Sequence, residues 1–193
     1  MSNSEKTSWR KWIREPFYFI AGEKALFLGL GAMLLSATVS VFSNAHFDGT
    51  LDLHIGIPAP WWVFMAESVI SWLSVMVPFY ILSVLLSKSK VRFIDIAGTT
   101  AFARIPLLLG TLLALLPPLQ QKPLLITDPL VLFCSFLLFP PLVWTLRLLY
   151  QSMVVSANLK GFKAGLGYLL GLIIAEIASK SLIHYFLSPY LIP

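Results

Sequence analysis

Ionisable side chains lie in stretches of this sequence that are otherwise apolar and long enough to cross a membrane. Six of them are candidates for a functional site, namely Glu67, Asp95, Arg104, Glu176, Lys180 and His184. A charge inside a bilayer is costly, so such groups normally face protein or water and have partners. They could form a path for ions or a substrate, or they could neutralise one another and fix how the helices pack. Because acids and bases are both present, we expect structural pairing, with an ion path as the alternative.

The spacing of these residues suggests particular pairs. Counting about 1.5 Å of helical rise per residue places Arg104 and Glu176 at a similar depth, which predicts a buried pair. Glu176, Lys180 and His184 are four residues apart and share one helical face, so Lys180 could neutralise Glu176 instead. Glu67 could pair with Lys180 or His184.

A second group of candidate ligands lies between the first two apolar stretches. His46, Asp48, Asp52 and His54 fall within nine residues. Imidazole and carboxylate groups both bind zinc, but this spacing matches no closed structural zinc site. We therefore expect a solvated loop here, with metal binding as the alternative, and we expect no cofactor.

No sequence motif of membrane-embedded catalysis is present. The chain has no His-Glu-x-x-His, no Gly-x-Ser-x-Gly and no phosphate loop of the Walker type. We therefore predict no catalytic residue and no enzymatic activity. The single cysteine, Cys134, lies in an apolar run and excludes an intrachain disulfide.

The composition indicates which elements must position these groups. The chain of 193 residues is 58% hydrophobic and 12% charged, and its mean hydropathy is +0.82. These values predict an all-α polytopic membrane protein, a five-helix transmembrane bundle with a short amphipathic helix at its amino terminus. The predicted spans, all within one domain of residues 25–193, are 25–44, 61–86, 94–116, 129–150 and 166–188. Prolines predict interruptions of these helices at Pro78, Pro106 and Pro140-Pro141.

The segment of residues 1–24 combines tryptophans with basic residues at roughly helical spacing. An apolar face that carries Trp, opposite a basic face, is typical of a helix lying in the membrane interface. The predicted anchor residues are Trp9, Arg10, Lys11, Trp12 and Arg14. The alternative is an ordinary aromatic and basic flank of the first span.

The distribution of Lys and Arg predicts the orientation. Over the segments that flank the five predicted spans, ten of these residues fall on the amino-terminal side and one, Lys122, falls on the other. The positive-inside rule then predicts a cytoplasmic amino terminus and an outside carboxyl terminus. The net charge of +5 therefore reflects topology and not nucleic-acid binding. The expected partners are the lipid bilayer and either another membrane protein or a second copy of the chain.

Several stretches resemble bacterial Yip1-domain membrane proteins. Lys11-Trp-Ile-Arg-Glu-Pro16 is similar to their proline-ended entry to the first span, and Asp95-Ile-Ala-Gly-Thr-Thr-Ala-Phe-Ala-Arg-Ile-Pro106 is similar to the opening of their third span. Val155-Ser-Ala-Asn-Leu-Lys-Gly-Phe-Lys163 and Ala175-Glu-Ile-Ala-Ser-Lys180 resemble their carboxyl-terminal half. The resemblance implies a five-span protein of the bacterial inner membrane with a cytoplasmic amino terminus. Eukaryotic relatives bind Rab-type GTPases, but this sequence lacks their Asp-Leu-Tyr-Gly-Pro motif, so that role is not carried over.

These observations predict a non-enzymatic multi-pass membrane protein that scaffolds or regulates membrane partners or membrane organisation. The alternative is a small transporter or channel component that uses the six intramembrane ionisable residues.

Overall fold

The computed structural model describes residues 11–121 and 127–191, and their fold is all-α. Five helical segments are long and apolar enough to span a membrane. The described α-helices are α1 (Gly22–Ser43), α2 (Trp61–Leu86), α3 (Phe93–Phe102), α4 (Ile105–Leu113), α5 (Pro129–Phe136), α6 (Phe139–Ser156) and α7 (Gly161–Leu191). The spans are α1, α2, α3 with α4, α5 with α6, and α7. The predicted five-helix bundle is therefore confirmed, and the protein is an integral multi-pass membrane protein.

The helix ends differ from the predicted ones by a few residues. The last span begins at Gly161, five residues before the predicted residue 166, and the fourth extends to Ser156 instead of residue 150. The third span ends at Leu113, and the prolines that follow it form a short 3-10 helix, Pro117–Gln120. A proline fixes its own φ and lacks an N–H, which is why the regular helix ends before this pair.

Two of the three predicted interruptions are present. The third span breaks between α3 and α4 just before Pro106, and the fourth breaks between α5 and α6 just before Pro140. Each proline lies in the first turn of the following helix, where a missing N–H is tolerated. The interruption predicted at Pro78 is wrong, because α2 continues through that residue.

The connections group on two sides of the bundle. On the side that holds residues 11–21, called here the amino-terminal side, the Ser87 hydroxyl donates to the Ala157 carbonyl (2.6 Å) and the Gln151 amide donates to the Arg14 carbonyl. On the opposite side, the Gln120 amide donates to the Ser43 carbonyl (2.8 Å). The chain therefore alternates between the two sides, as five spans require.

Small residues allow close approach of α1 and α3. A Cβ atom placed on Gly29 would overlap the backbone of Ala101 and Phe102, and one placed on Gly98 would overlap the Gly22 carbonyl. Glycine at such crossings lets helix backbones touch within a membrane. This contact fixes the position of the third span, which carries Arg104 at its break.

The amino-terminal segment packs into the bundle through aromatic rings. Residues 11–14 are helical and lead into a short 3-10 helix, Pro16–Tyr18. The buried Phe17 meets Phe102 edge-on at 5.7 Å between ring centroids, and Trp12 meets the same ring at 6.3 Å. Of the predicted anchor residues, Lys11, Trp12 and Arg14 are exposed, as an interfacial anchor requires. Trp9 and Arg10 lie outside the described residues.

The loop of residues 44–60 folds back into the bundle, so the predicted solvated loop is wrong for much of its length. Asn44 reverses the chain with a left-handed φ of 50°. The two-residue strands β1 (Ala45–His46) and β2 (His54–Ile55) then pair antiparallel. Between them the chain enters the bundle, where Phe47 and Thr50 are 2% and 1% exposed. We call residues 44–60 the inserted loop.

The depth of the inserted loop follows from its contact with α2. The Ser71 hydroxyl lies near the Phe47 and Gly49 carbonyls, at 3.4 and 3.1 Å. Ser71 is ten residues beyond Trp61, the first residue of α2, which corresponds to about 15 Å of helical rise. Non-helical backbone at such depth is tolerated only where protein or water satisfies its polar groups. The side chains that satisfy this loop are therefore central to the architecture.

Candidate functional site

A buried acid on α2 holds the first strand of the inserted loop. Glu67 is 0% exposed, and its Oε1 lies 2.8 Å from the Nδ1 of His46. Its Oε2 accepts the backbone N–H of Phe47 at 3.1 Å. The other ring nitrogen of His46 lies 2.8 Å from the Ile57 carbonyl, which can only accept, so Nε2 carries a proton. Glu67 therefore contacts both the His46 ring and the backbone of the residue that follows it.

An acid on α7 holds the tip of the loop. The Glu176 Oε2 accepts the backbone N–H groups of Thr50 (3.0 Å) and Leu51 (3.3 Å). A Cβ atom on Gly49 would overlap the carboxylate, so a larger residue here would require the Glu176 side chain to shift. The Oε1 lies 3.3 Å from the Lys180 ammonium. Glu176 thus ties the loop to the middle of the last span.

The predicted Arg104–Glu176 pair is absent, because Glu176 faces the loop and Lys180. The Glu176–Lys180 pair within α7, which is the alternative that the sequence offers, forms instead. The pairing proposed for Glu67 with Lys180 or His184 is also wrong. His46 occupies that position, and His184 lies exposed on α7.

Asp95 belongs to a separate ion pair on the amino-terminal side. The Arg92 guanidinium donates two hydrogen bonds of 2.8 Å to the two Asp95 oxygens. Arg92 precedes α3 and Asp95 lies in its first turn, where a carboxylate also suits the helix dipole. The six predicted residues therefore do not form one connected group. They divide among this pair, the loop contacts, the exposed His184 and the isolated Arg104.

Arg104 occupies the break between α3 and α4 without an acidic partner. Its side chain is 4% exposed, and within residues 11–121 and 127–191 it makes no ion pair. The guanidinium carbon lies 5.6 Å from the centre of the Phe47 ring, a cation–π contact with the inserted loop. Its Nη2 has no hydrogen-bond partner in the described part of the chain, and Ser36 and Ser68 line the small space beside it.

The four candidate metal ligands face different partners. The His54 Nδ1 lies 3.1 Å from Asp48, Asp52 lies 3.1 Å from Lys180, and His46 binds Glu67. The rings of His46 and His54 stack with centroids 5.5 Å apart. Among the described residues, no group of three or more His, Cys, Asp and Glu side chains is arranged to hold a metal ion.

The Asp48–His54 pair perturbs both pKa values. The contact with Asp48, opposed by burial, raises the pKa of His54 above its ordinary 6.5. Burial raises the pKa of Asp48, but the hydrogen bond and charge of His54 outweigh it, so the pKa falls below its ordinary 3.8. The stabilisation of the fold that comes from protonated His54 is complete below pH 6.5, and it disappears as the pH rises through the raised pKa of His54. The stabilisation that comes from ionised Asp48 is present above pH 3.8, and it disappears as the pH falls through the lowered pKa of Asp48.

Sequence reasoning missed the hydroxyl groups that complete this site. The Ser71 side chain contacts the loop carbonyls, and the Thr50 hydroxyl donates to Ser179 at 3.3 Å. A signal for them exists in the sequence. Ser68, Ser71 and Ser74 recur every three residues on α2, and such small polar residues mark helix contacts in membranes.

No protein-family model, no curated protein and no solved structure matches the chain. The resemblance to Yip1-domain proteins therefore stays a prediction.

Proposed function

We propose that this protein is a non-enzymatic multi-pass membrane protein that scaffolds or regulates membrane partners. The observation that carries the proposal is that the chain itself supplies the partners of the three acids among the six predicted residues. Glu67, Asp95 and Glu176 are each held by at least two hydrogen bonds or ion pairs from the chain itself. An acid that carries a proton or cation through a membrane must bind and release it repeatedly. Here binding of a proton or cation would weaken the hydrogen bonds and ion pairs that hold the inserted loop or the start of α3.

We propose further that the amino-terminal side faces the cytoplasm of a bacterial cell and that the bilayer is the inner membrane. The charge count of ten Lys and Arg against one supports this orientation. The Yip1-like stretches support the same arrangement by resemblance. Reactivity of cysteines introduced at the exposed positions Ser89 and Gln121 toward an impermeant maleimide, in a variant lacking Cys134, would test it. Only the cysteine at position 121 should react from outside.

Native mass spectrometry of the full chain in mild detergent tests the scaffold role. A protein bound at fixed stoichiometry is the expected result. Flux measurements in liposomes complete the test, with Glu67→Gln as the diagnostic variant. We expect neither the natural chain nor the variant to pass protons or alkali cations. A proton or cation current that the natural chain carries, and that folded Glu67→Gln lacks, would contradict the proposal.

A second candidate is a small transporter or channel component, and Arg104 is the observation that favours it. The third span is broken at Arg104, as the discontinuous helices that bind substrate near the midplane of transporters are broken. The buried guanidinium at this break has one nitrogen without a hydrogen-bond partner among the described residues. Its charge would suit a small anion. Chloride flux in liposomes that persists in Arg104→Lys and disappears in Arg104→Met would support this candidate. Equal behaviour of both variants and the natural chain would remove it.

A further inference from the structure

A groove on the lipid-facing surface lies outside the inserted loop and its contacts. It is formed where the amino-terminal segment meets α6 near the break between α5 and α6. Its walls include Phe139, Pro140 and Val143, and both Arg14 and Arg147 line it. The groove has a volume of about 500 Å³. This is within the roughly 300–1,000 Å³ of ligand sites, larger than a single ion requires.

A hydrogen bond from α6 to the backbone of Arg14 holds the two arginines in the same groove. The Gln151 side-chain amide donates to the Arg14 carbonyl. Gln151 is four residues beyond Arg147 on α6, so the two side chains share one face of that helix. The amino-terminal segment is itself fixed by Phe17, which is buried against Phe102. Arg14 is therefore docked beside Arg147 by the fold.

Neither arginine is neutralised by the part of the chain that the structure describes. Both are exposed, and no acidic side chain lies within ion-pair distance of either among those residues. The rest of the groove is apolar, and Phe139 and Val143 are 57% and 60% exposed. Arg147 is eight residues beyond Phe139, about 12 Å of helical rise. The groove thus has two positive charges at one end and a strip of apolar surface leading away from them.

We propose that this groove binds one acidic phospholipid, with its phosphate between Arg14 and Arg147 and an acyl chain along Val143, Pro140 and Phe139. Paired arginines suit phosphate oxygens. Basic pockets between membrane helices are typical sites for acidic headgroups. The occupant is a lipid because the apolar strip lies on the exposed face of a membrane-spanning helix, where the surrounding medium is lipid.

The proposal is tested on the full chain in mild detergent by native mass spectrometry. Phosphatidylglycerol and phosphatidylcholine with identical acyl chains are added in equal amounts. We expect the first phosphatidylglycerol to bind roughly tenfold or more tightly than phosphatidylcholine, from the favourable contribution of two arginines. Arg14→Gln with Arg147→Gln should reduce that preference to about twofold or less. The matched control is Lys88→Gln with Lys90→Gln, which removes two exposed charges from the amino-terminal side and should keep the preference.

A further variant tests the apolar strip and does not depend on the folding of the double arginine variant. Val143→Trp keeps both arginines and fills the groove, and it should weaken phosphatidylglycerol binding. Inorganic phosphate at the same concentration should not displace the lipid. No preference in the natural chain, an equal loss in the lysine control, or unchanged binding in Val143→Trp would each overturn the proposal. Displacement by phosphate would also overturn it, because the site would then recognise the free anion.

Discussion

Replacing Gly29 by alanine should destabilise the bundle, because the contact between α1 and α3 leaves no space for a methyl group. The new Cβ would overlap backbone atoms of Ala101 and Phe102, which cannot rotate away as a side chain can. Relief requires the two helices to separate. Overpacking of this kind typically costs about 1–3 kcal/mol.

The same chain offers a matched control on the same helix. A Cβ atom on Gly31 meets nothing within 4 Å, so Gly31→Ala makes the same chemical change without a clash. Both variants gain the same helix propensity, at most about 1 kcal/mol. The difference between them therefore isolates the packing cost, and we expect Gly29→Ala to have the lower free energy of unfolding by about 1–3 kcal/mol.

The single cysteine provides the measurement. Cys134 is 5% exposed in the fold, so a fluorogenic maleimide should label it mainly after unfolding. Titrating dodecyl sulfate into mild-detergent micelles and following the labelling compares the two variants under identical conditions. If Gly29→Ala unfolds at the same dodecyl sulfate fraction as Gly31→Ala, then α1 and α3 do not touch as closely as described.

Three further predictions concern the charged groups. Glu176→Gln should speed hydrogen exchange of the inserted loop by roughly ten- to hundredfold, since charge-assisted hydrogen bonds contribute about 1.5–3 kcal/mol. His184→Gln on the same helix should leave this exchange unchanged. Equal exchange in both variants would contradict the assigned role of Glu176. Raising the pH from 6 to 8 should loosen the loop as His54 loses its proton beside Asp48, after correction for intrinsic exchange, and this response should be absent in a His54→Gln variant. Arg104→Met should raise the thermal unfolding midpoint in buffer without chloride or other small inorganic anions, because it removes a buried charge that has no acidic partner among the described residues. A lower midpoint would show that the guanidinium stabilises the fold.

Much of the interior depends on partners that the sequence cannot assign. Glu176 was expected to face Arg104, since both lie at a similar depth, but depth along a helix does not give the rotation of that helix about its own axis. In the fold Glu176 points at Thr50 and Lys180. Gly29 and Gly31 show the same limit. They are two residues apart, and only the first faces α3.

The sequence by itself determined that the chain is an all-α membrane protein with five spans, and it located two of the helix breaks. Hydropathy and proline effects are local, so a window of about 20 residues contains the information they need. Only the tertiary structure decided that the inserted loop enters the bundle. That segment is short, polar and rich in turn residues, which in isolation favours water. Its burial becomes possible only when Glu67, Ser71 and Glu176, from two separate spans, contact its backbone together.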